Sequence, residues 1–289
     1  MTDPAPVERA LTPADLPGAL RLSMQAGWNQ VADDWRVMLS GGWTVGLVGG
    51  LAAPDLIATA LTVPLGDRLA WISMVLVDQA WRRRGFGTLL LERCIAALAR
   101  LGVVAGLDAT PAGRLVYAPL GFQPRYGISR LIVEPAAALA ADPPAGVALA
   151  PLADTDIAAL AEWDEARTAM RRAALLADLR RRLPAASWQA RRGNTLVGVV
   201  LGRDGRLSNQ LGPVLADDAA IARALIARAV QATARAAILD VPDPHADLQA
   251  WLRDGGAVKQ RDYTRMLLGP PDTLPPPDPL YAIAGPELG

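Results

Sequence analysis

Apolar positions along this chain fall into short strand-like runs separated by turn-forming residues, with stretches of helical spacing between them. An opening strand near Val7–Ala10 precedes helical spacing at Leu16, Leu20 and Leu22, for which Asp15 is a candidate cap. A second helix is predicted over Val31–Leu39. Strand-like runs follow at Trp43–Val48, Leu56–Val63 and Leu69–Val77. Beyond an arginine-glycine loop, Thr88, Leu89, Leu90, Leu91, Ile95, Leu98 and Leu101 fit a helix with one apolar face. Val103–Leu107 reads as a buried strand and Ala112–Ala118 as a short helix. Ile128–Val133 closes the set as a strand.

The second half runs through the same order with weaker motifs. Its strands are predicted at Val147–Leu152, Ser187–Arg192, Thr195–Leu201, Leu211–Leu215, Ala237–Val241 and Thr264–Leu268, with a hairpin turn at Gly193–Asn194. Its helices are predicted at Ile157–Trp163 and Ala219–Ala234. Such weak internal repetition suggests duplication. Proline fixes φ and removes a donor, so the proline-rich stretches Pro135–Pro144 and Pro270–Gly289 resist helix and sheet interior. The expected organisation is a first domain at 1–138, a second at 146–269 and a proline-rich tail at 270–289, either packed across a domain or mobile.

A length of 289 residues favours two domains. With 52% apolar residues each half can build a core. The net charge is zero, which argues against general nucleic-acid binding, because such binding needs a basic excess to displace counterions. One cysteine, Cys94, excludes an intrachain disulfide, and one histidine, His245, excludes a two-histidine metal site within the chain. No carboxylate spacing suggests a metal. The opening residues lack a basic-then-apolar signal, and no apolar stretch approaches the ~20 residues of a membrane span. The expectation is a cytoplasmic protein without membrane or nucleic-acid partners, monomeric or homodimeric.

The segment that carries chemistry is the strand ending Val75-Leu76-Val77, then Arg82-Arg83-Arg84-Gly85-Phe86-Gly87, then a helix entered at Thr88. The first N–H groups of a helix have no internal partner and sit at its positive end. Glycines at 85 and 87 let an anion come close to the backbone. Two readings stand at this point: an anion cradle, or a plain turn with solvated arginines. The loop lacks the Gly-Lys-Ser/Thr of a phosphate-binding loop and the Gly-x-Gly-x-x-Gly of a dinucleotide fold.

Arg82-x-x-Gly85-x-Gly87 between strand and helix resembles the acetyl-CoA signature of the GNAT acetyltransferases. Tyr117-Ala-Pro-Leu-Gly121-Phe122 resembles the family's second landmark, at the right distance. The resemblance covers about residues 7–134; in the second half it is one of layout. It implies an α/β fold with two GNAT-like domains in tandem, each a mixed sheet flanked by helices, the first splaying near Val77. It implies acetyl-CoA as cofactor, its arm bonded to backbone around Val75, Leu76 and Val77 and its pyrophosphate held from Arg82 through Thr88. Tyr117 would lie near the sulfur as the acid. The implied activity is N-acetyl transfer to a primary amine of a small or amino-acid-like acceptor; a non-catalytic acyl-CoA sensor and a peptide N-terminal acetyltransferase are the rivals.

Ser73, Asp78, Asp33 and Asp34 are possible bases, as is water, and Asp78 also suits a strand end or turn cap. Trp28, Asn29 and Trp35 lie where the family's acceptor pocket usually is, and the two tryptophans read either as pocket walls or as core. Cys94 sits in an apolar helix and reads as a small core residue. His245, among prolines and aspartates, reads as a surface loop. Where the first half has its cradle, the second has Ala216-Asp217-Asp218, which would repel pyrophosphate. Trp251 stands where the first half has Tyr117. The second copy is therefore expected to have lost acetyl transfer, with Asp217 and Asp218 capping a helix.

Overall fold

The computed structural model describes residues 5–49, 55–135, 137 and 139–289. It divides into two compact units between Leu107 and Asp108.

The first unit is built from β1 (Val7–Arg9), α1 (Leu16–Gln25), α2 (Ala32–Leu39), β2 (Thr44–Gly49), β3 (Asp55–Pro64), β4 (Leu69–Val77), α3 (Phe86–Leu101) and β5 (Val104–Ala109), which runs across the division. Its strands lie in sequence order. The β1–β2, β2–β3 and β3–β4 pairs are antiparallel, and β4–β5 is parallel. The parallel step is possible because α3 makes the crossover. The predicted apolar face of α3 is buried through Leu90, Leu91, Cys94, Ala97 and Leu98, and Gly102, at φ +66°, ends the helix. Trp35, Met38, Leu61 and Trp71 complete the core.

The second unit contains α4 (Pro111–Tyr117), β6 (Gln123–Val133), β7 (Val147–Pro151), α5 (Ile157–Thr168), α6 (Ala173–Arg182), β8 (Trp188–Arg192), β9 (Thr195–Arg203), β10 (Asn209–Ala216), α7 (Ala219–Gln231), β11 (Ala237–Pro242), α8 (Ala246–Asp254), β12 (Val258–Leu268) and β13 (Leu280–Ala282). The strand order is β12-β6-β11-β10-β9-β8-β7, with β13 on β10. Only β10–β11 is parallel among these ladders. One core runs from β6 through β9, β10 and β11 to α7 and α8, and includes Leu131, Val200, Leu211, Leu225 and Leu239.

The strand predicted to close the first sequence copy, β6, is thus a strand of the second packing unit. It pairs antiparallel with β11 (Leu131↔Leu239) on one side and with β12 (Ile128↔Tyr263) on the other. Sequence copies and packing units are therefore different divisions of this chain. Arg130 on β6 secures the β11 side by forking onto buried Asp240 at 2.7 and 2.8 Å; elsewhere in the unit the buried Arg265 of β12 forks onto Asp108 at 2.9 and 2.8 Å. Desolvation of these charges is offset by bidentate pairing.

The mixed sheet with helices was legible in the sequence, but three elements were not. Helices α6 and α8 fall where no element was predicted. The segment 270–289, one of whose readings was a mobile tail, is packed: Leu280, Ala282, Ile283, Ala284 and Leu288 are all buried, and Leu280–Ala282 is a strand. Among the described residues no helix is long and apolar enough to cross a membrane.

Candidate active site

In the first unit the ladder between β4 and β5 covers Leu69–Trp71 against Val104–Gly106. Beyond Trp71, β4 continues to Val77 with β3 as its partner. The two parallel strands therefore part after three residues, and the backbone of Ile72–Val77 is left as an edge that an extended ligand can join. Trp71 lies at the fork. Its indole fills the space a Cβ on Gly106 would need, for such an atom would stand 2.2 Å from the ring.

Just beyond the fork β4 bulges. Its register against β3 slips between Thr59 and Leu61, where three steps on β4 meet two on β3. Met74 takes φ +53°, a left-handed conformation that costs a non-glycine residue of order 1–3 kcal/mol. The Thr59 hydroxyl donates to the Met74 carbonyl at 2.8 Å and holds the kink. Around it Val75 and Val77 are half-buried while Met74 and Leu76 are buried, so the bulge turns two alternate positions outward. No residue-type signal announces this feature, since methionine is not a residue that favours positive φ.

At the end of β4, Asp78 accepts from the Ala80 N–H at 2.9 Å and caps a single 3-10 turn, Gln79–Trp81. Its other oxygen takes an ion pair from Arg21 and a hydrogen bond from Gln25 at 3.0 Å, which tie α1 to the loop. Burial alone would raise the Asp78 pKa; the Ala80, Arg21 and Gln25 donors outweigh it and hold the carboxyl below its ordinary range. Asp78 is a cap, as one sequence reading had it.

The loop proper places Arg82, Arg83 and Arg84 in solvent. Arg82 Nε donates to the Val77 carbonyl at 3.1 Å, and the Arg84 guanidinium lies 4.7 Å from the Trp81 ring centroid. Among the described residues none of the three has a carboxylate partner. Gly85, at φ +81°, turns the chain into α3 and offers no side-chain cap. The first turn of α3 has no acidic residue. Leu89 N–H donates to the Gly85 carbonyl at 3.0 Å, so the N–H groups of Phe86, Gly87 and Thr88 precede the first internal bond. A Cβ on Gly87 would lie 3.7 Å from a Val77 methyl. The helix start therefore packs beside the outward end of β4. The structure thus brings Val77, at the outward end of β4, beside Gly87 in the first turn of α3, with Arg82, Arg83 and Arg84 exposed on the loop between them.

Trp28 is half-buried and Asn29 buried, in the turn after α1. Trp35 is wholly buried on α2, with its indole N–H on Ser23 Oγ at 3.0 Å; that is the placement of a core residue. Asp34 caps α2 by accepting from the Val31 N–H at 2.8 Å, and Asp33 pairs with Arg36 at 2.5 Å. Cys94 is enclosed, and burial pushes its thiol up to about 12. Such a group is no nucleophile.

Tyr117 belongs to the second unit. It ends α4, which Thr110 caps by accepting from the Gly113 N–H at 3.1 Å. Its ring packs at 6.2 Å on Phe122, across the left-handed turn at Gly121. Burial raises its pKa above the ordinary phenol value. Gly113 makes room for the ring, since a Cβ there would come within 2.9 Å of it; no sequence landmark pointed to this glycine.

In the second half, β10 and β11 repeat the fork: their parallel ladder covers Asn209–Leu211 against Ala237–Leu239. The register of β10 against β9 also slips just beyond, between Leu211 and Val214. Asp218 caps α7, accepting from the Ile221 N–H at 2.9 Å, and Asp217 pairs with Arg167 at 3.1 Å. Of the capping role expected for the two aspartates, Asp218 fills it and Asp217 forms an ion pair instead. His245 lies in the loop before α8, half-buried: its Nε2 is 2.9 Å from the Pro277 carbonyl and 3.1 Å from that of Leu280, and its ring stacks on Tyr281 at 4.2 Å.

Residues 27–122 match the model of the acetyltransferase (GNAT) family, and residues 160–282 match that of an acetyltransferase (GNAT) domain. The second match shows that the later copy keeps family character beyond layout. No curated protein matches the chain. Among solved structures, an acetyltransferase candidate from Pyrococcus horikoshii superposes with TM-score 0.77 at 20% identity, over 100% of this chain and 98% of that one. A GCN5-related N-acetyltransferase from Sphaerobacter thermophilus gives 0.63 at 20%, over 92% and 96%. A tandem GNAT protein from the clavulanic acid biosynthesis pathway, solved without acetyl-CoA, gives 0.63 at 13%, over 92% and 99%. At these identities the likeness is one of fold.

Proposed function

The chain belongs to the GNAT superfamily, with one such domain matched in each half, and from that premise we propose that its first half transfers an acetyl group from acetyl-CoA to the primary amine of a small or amino-acid-like acceptor. The observation that carries this reading is the fork between β4 and β5 standing beside the uncapped, arginine-rimmed start of α3. Bound acetyl-CoA would supply the acyl carbonyl for direct attack by the amine nitrogen, with coenzyme A thiolate as the leaving group. The backbone at Val75 and Val77 holds the extended arm. The N–H groups of Phe86, Gly87 and Thr88, with Arg82, Arg83 and Arg84, hold the pyrophosphate. Each helix-end donor stabilises an anion by only ~0.3–1 kcal/mol through the dipole, so the contacts act together.

Tyr117 is assigned as the acid that protonates the leaving thiolate, a role that needs a neutral phenol; its burial keeps it so. The base is assigned to water, because Asp33, Asp34 and Asp78 are each engaged in caps or ion pairs and Ser73 is a buried alcohol, too weak a base by itself. Trp28 and Asn29 are assigned to the acceptor side, while Trp35 is a core residue.

The engaged carboxylates also favour a second reading, a binding module without turnover. Titration calorimetry with acetyl-CoA, followed by thiol release across a panel of amines, amino acids and peptides, separates the two. Binding with turnover is expected. Absence of binding at micromolar concentrations sinks both readings, and binding without thiol release for any amine sinks the enzyme. A panel in which only peptides are acetylated would shift the acceptor to peptide N-termini.

A further inference from the structure

The fork between β10 and β11 is geometrically the counterpart of that between β4 and β5, yet something lies in it. Past Leu211 the exposed edge of β10 is taken by β13, with Val214 opposite Ala282 and Leu215 opposite Leu280. The Ala216 N–H donates to the Pro279 carbonyl at 3.0 Å. On the other lip, the Ile283 N–H donates to the Asp240 carbonyl of β11, also at 3.0 Å. One short stretch of backbone therefore satisfies polar groups on both parted strands, as an inserted extended ligand would.

The fit extends beyond main-chain bonds. Gly212 sits at φ +153°, and a Cβ there would stand 1.9 Å from the Ile283 carbonyl oxygen, so the strand gives up a side chain to admit the segment. Leu280, Ala282, Ile283 and Ala284 are buried. Anchors lie on both sides: His245 on the Pro277 and Leu280 carbonyls before it, the buried Arg203–Glu287 pair and Arg172 Nη1 on the Gly289 carbonyl (3.2 Å) after it.

The geometry points to Pro279–Ala284 as a tethered resident ligand of the second fork: the site is retained, built for an extended amide-bearing chain, and filled from within. The fork cannot also take a pantetheine-like arm. Resting on the cofactor reading of the first half, this fixes one coenzyme per chain, and assigns the exclusion to the seated segment and not to the acidic residues Asp217 and Asp218.

Two measurements on the full chain test this. Calorimetry with acetyl-CoA is expected to give one equivalent per chain, both in the native protein and in the Asp217→Asn, Asp218→Asn variant, which keeps the helix cap but drops the charge. Two equivalents in either protein would overturn the proposal. Hydrogen exchange is expected to show the amides of Ala216 and Leu280–Ile283 exchanging more than about a hundredfold slower than an unstructured peptide, unchanged by saturating acetyl-CoA. Unprotected exchange there, or loss of protection when ligand is added, would overturn it. Zero equivalents would count against the function proposed for the first half, while the exchange result alone would then decide whether the second fork is filled.

Discussion

Gly106 shows how one missing side chain shapes the proposed cleft. Because Trp71 occupies the space above it, Gly106→Ala must push the indole at the point where β4 and β5 part. A loss of about 1–3 kcal/mol in chemical denaturation is expected, the usual range for overpacking. Tyr117 offers a second single-residue test. With its pKa raised by burial, the neutral acid persists up to the ordinary phenol value of about 10, and activity falls only above it. Tyr117→Phe is expected to lower kcat by about a hundredfold and to remove that alkaline limb from the pH profile. The landmark around Tyr117 and Gly121 was readable because turn geometry demands glycine at φ +94°. Met74 was not, for nothing in its chemistry favours the left-handed backbone that the bulge imposes.

Among the elements, α3 combines both lessons. Its apolar face and its glycine-flanked start follow from sequence, because periodicity and φ preference are local properties. Its nearness to Val77 follows from packing. A Cβ at 87 finds ordinary contact distance, so Gly87→Ala is expected to keep acetyl-CoA affinity near native; Gly87→Phe would cover the helix-start donors and weaken it at least about tenfold, some 1.4 kcal/mol by calorimetry. At the other end of the unit, Asp15 ties β1 to α1 by accepting from Arg9 and from the Thr12 N–H at 2.7 Å. The Arg9 bond is the main reason its pKa falls to about 2, outweighing burial. A carboxylate depressed in the folded state stabilises fully above its unfolded pKa, near 4, and loses that contribution as pH falls toward 2. Asp15→Asn should therefore flatten the acid side of the stability curve between those limits, measured by denaturant titration at successive pH values. Helices α6 and α8 escaped sequence reading: α6 is rich in arginine and has a short apolar stripe, while α8 follows two prolines and an aspartate-rich turn that read as loop.

For the molecule as a whole, the interleaving of β6 between β11 and β12 decides what can fold alone. A fragment ending at 138 carries β6 without either partner, and one starting at 146 leaves β11 and β12 with a gap between them. Open edges and the unpaired partners of Arg130 and Asp240 disfavour both pieces, since losing one member of such a buried pair costs about 3–5 kcal/mol. Residues 1–138 and 146–289 are expected to be insoluble when expressed singly and to yield soluble, cooperatively unfolding protein when co-expressed; soluble, cooperatively folded single fragments would contradict this. Strand pairing across such a distance leaves no mark in local periodicity, which is why the order of elements was legible in the sequence and the partners of β6 were not.

That same interleaving sets a timetable during synthesis. Once Val133 has left the ribosome, about a hundred more residues must be translated before β11 emerges, and β12 comes later still. At ~5–20 residues per second, a nascent strand of eleven residues waits roughly 5–20 s without a neighbour. Slowing elongation over the intervening codons lengthens that window, and with it the demand on chaperones that shield half-made chains.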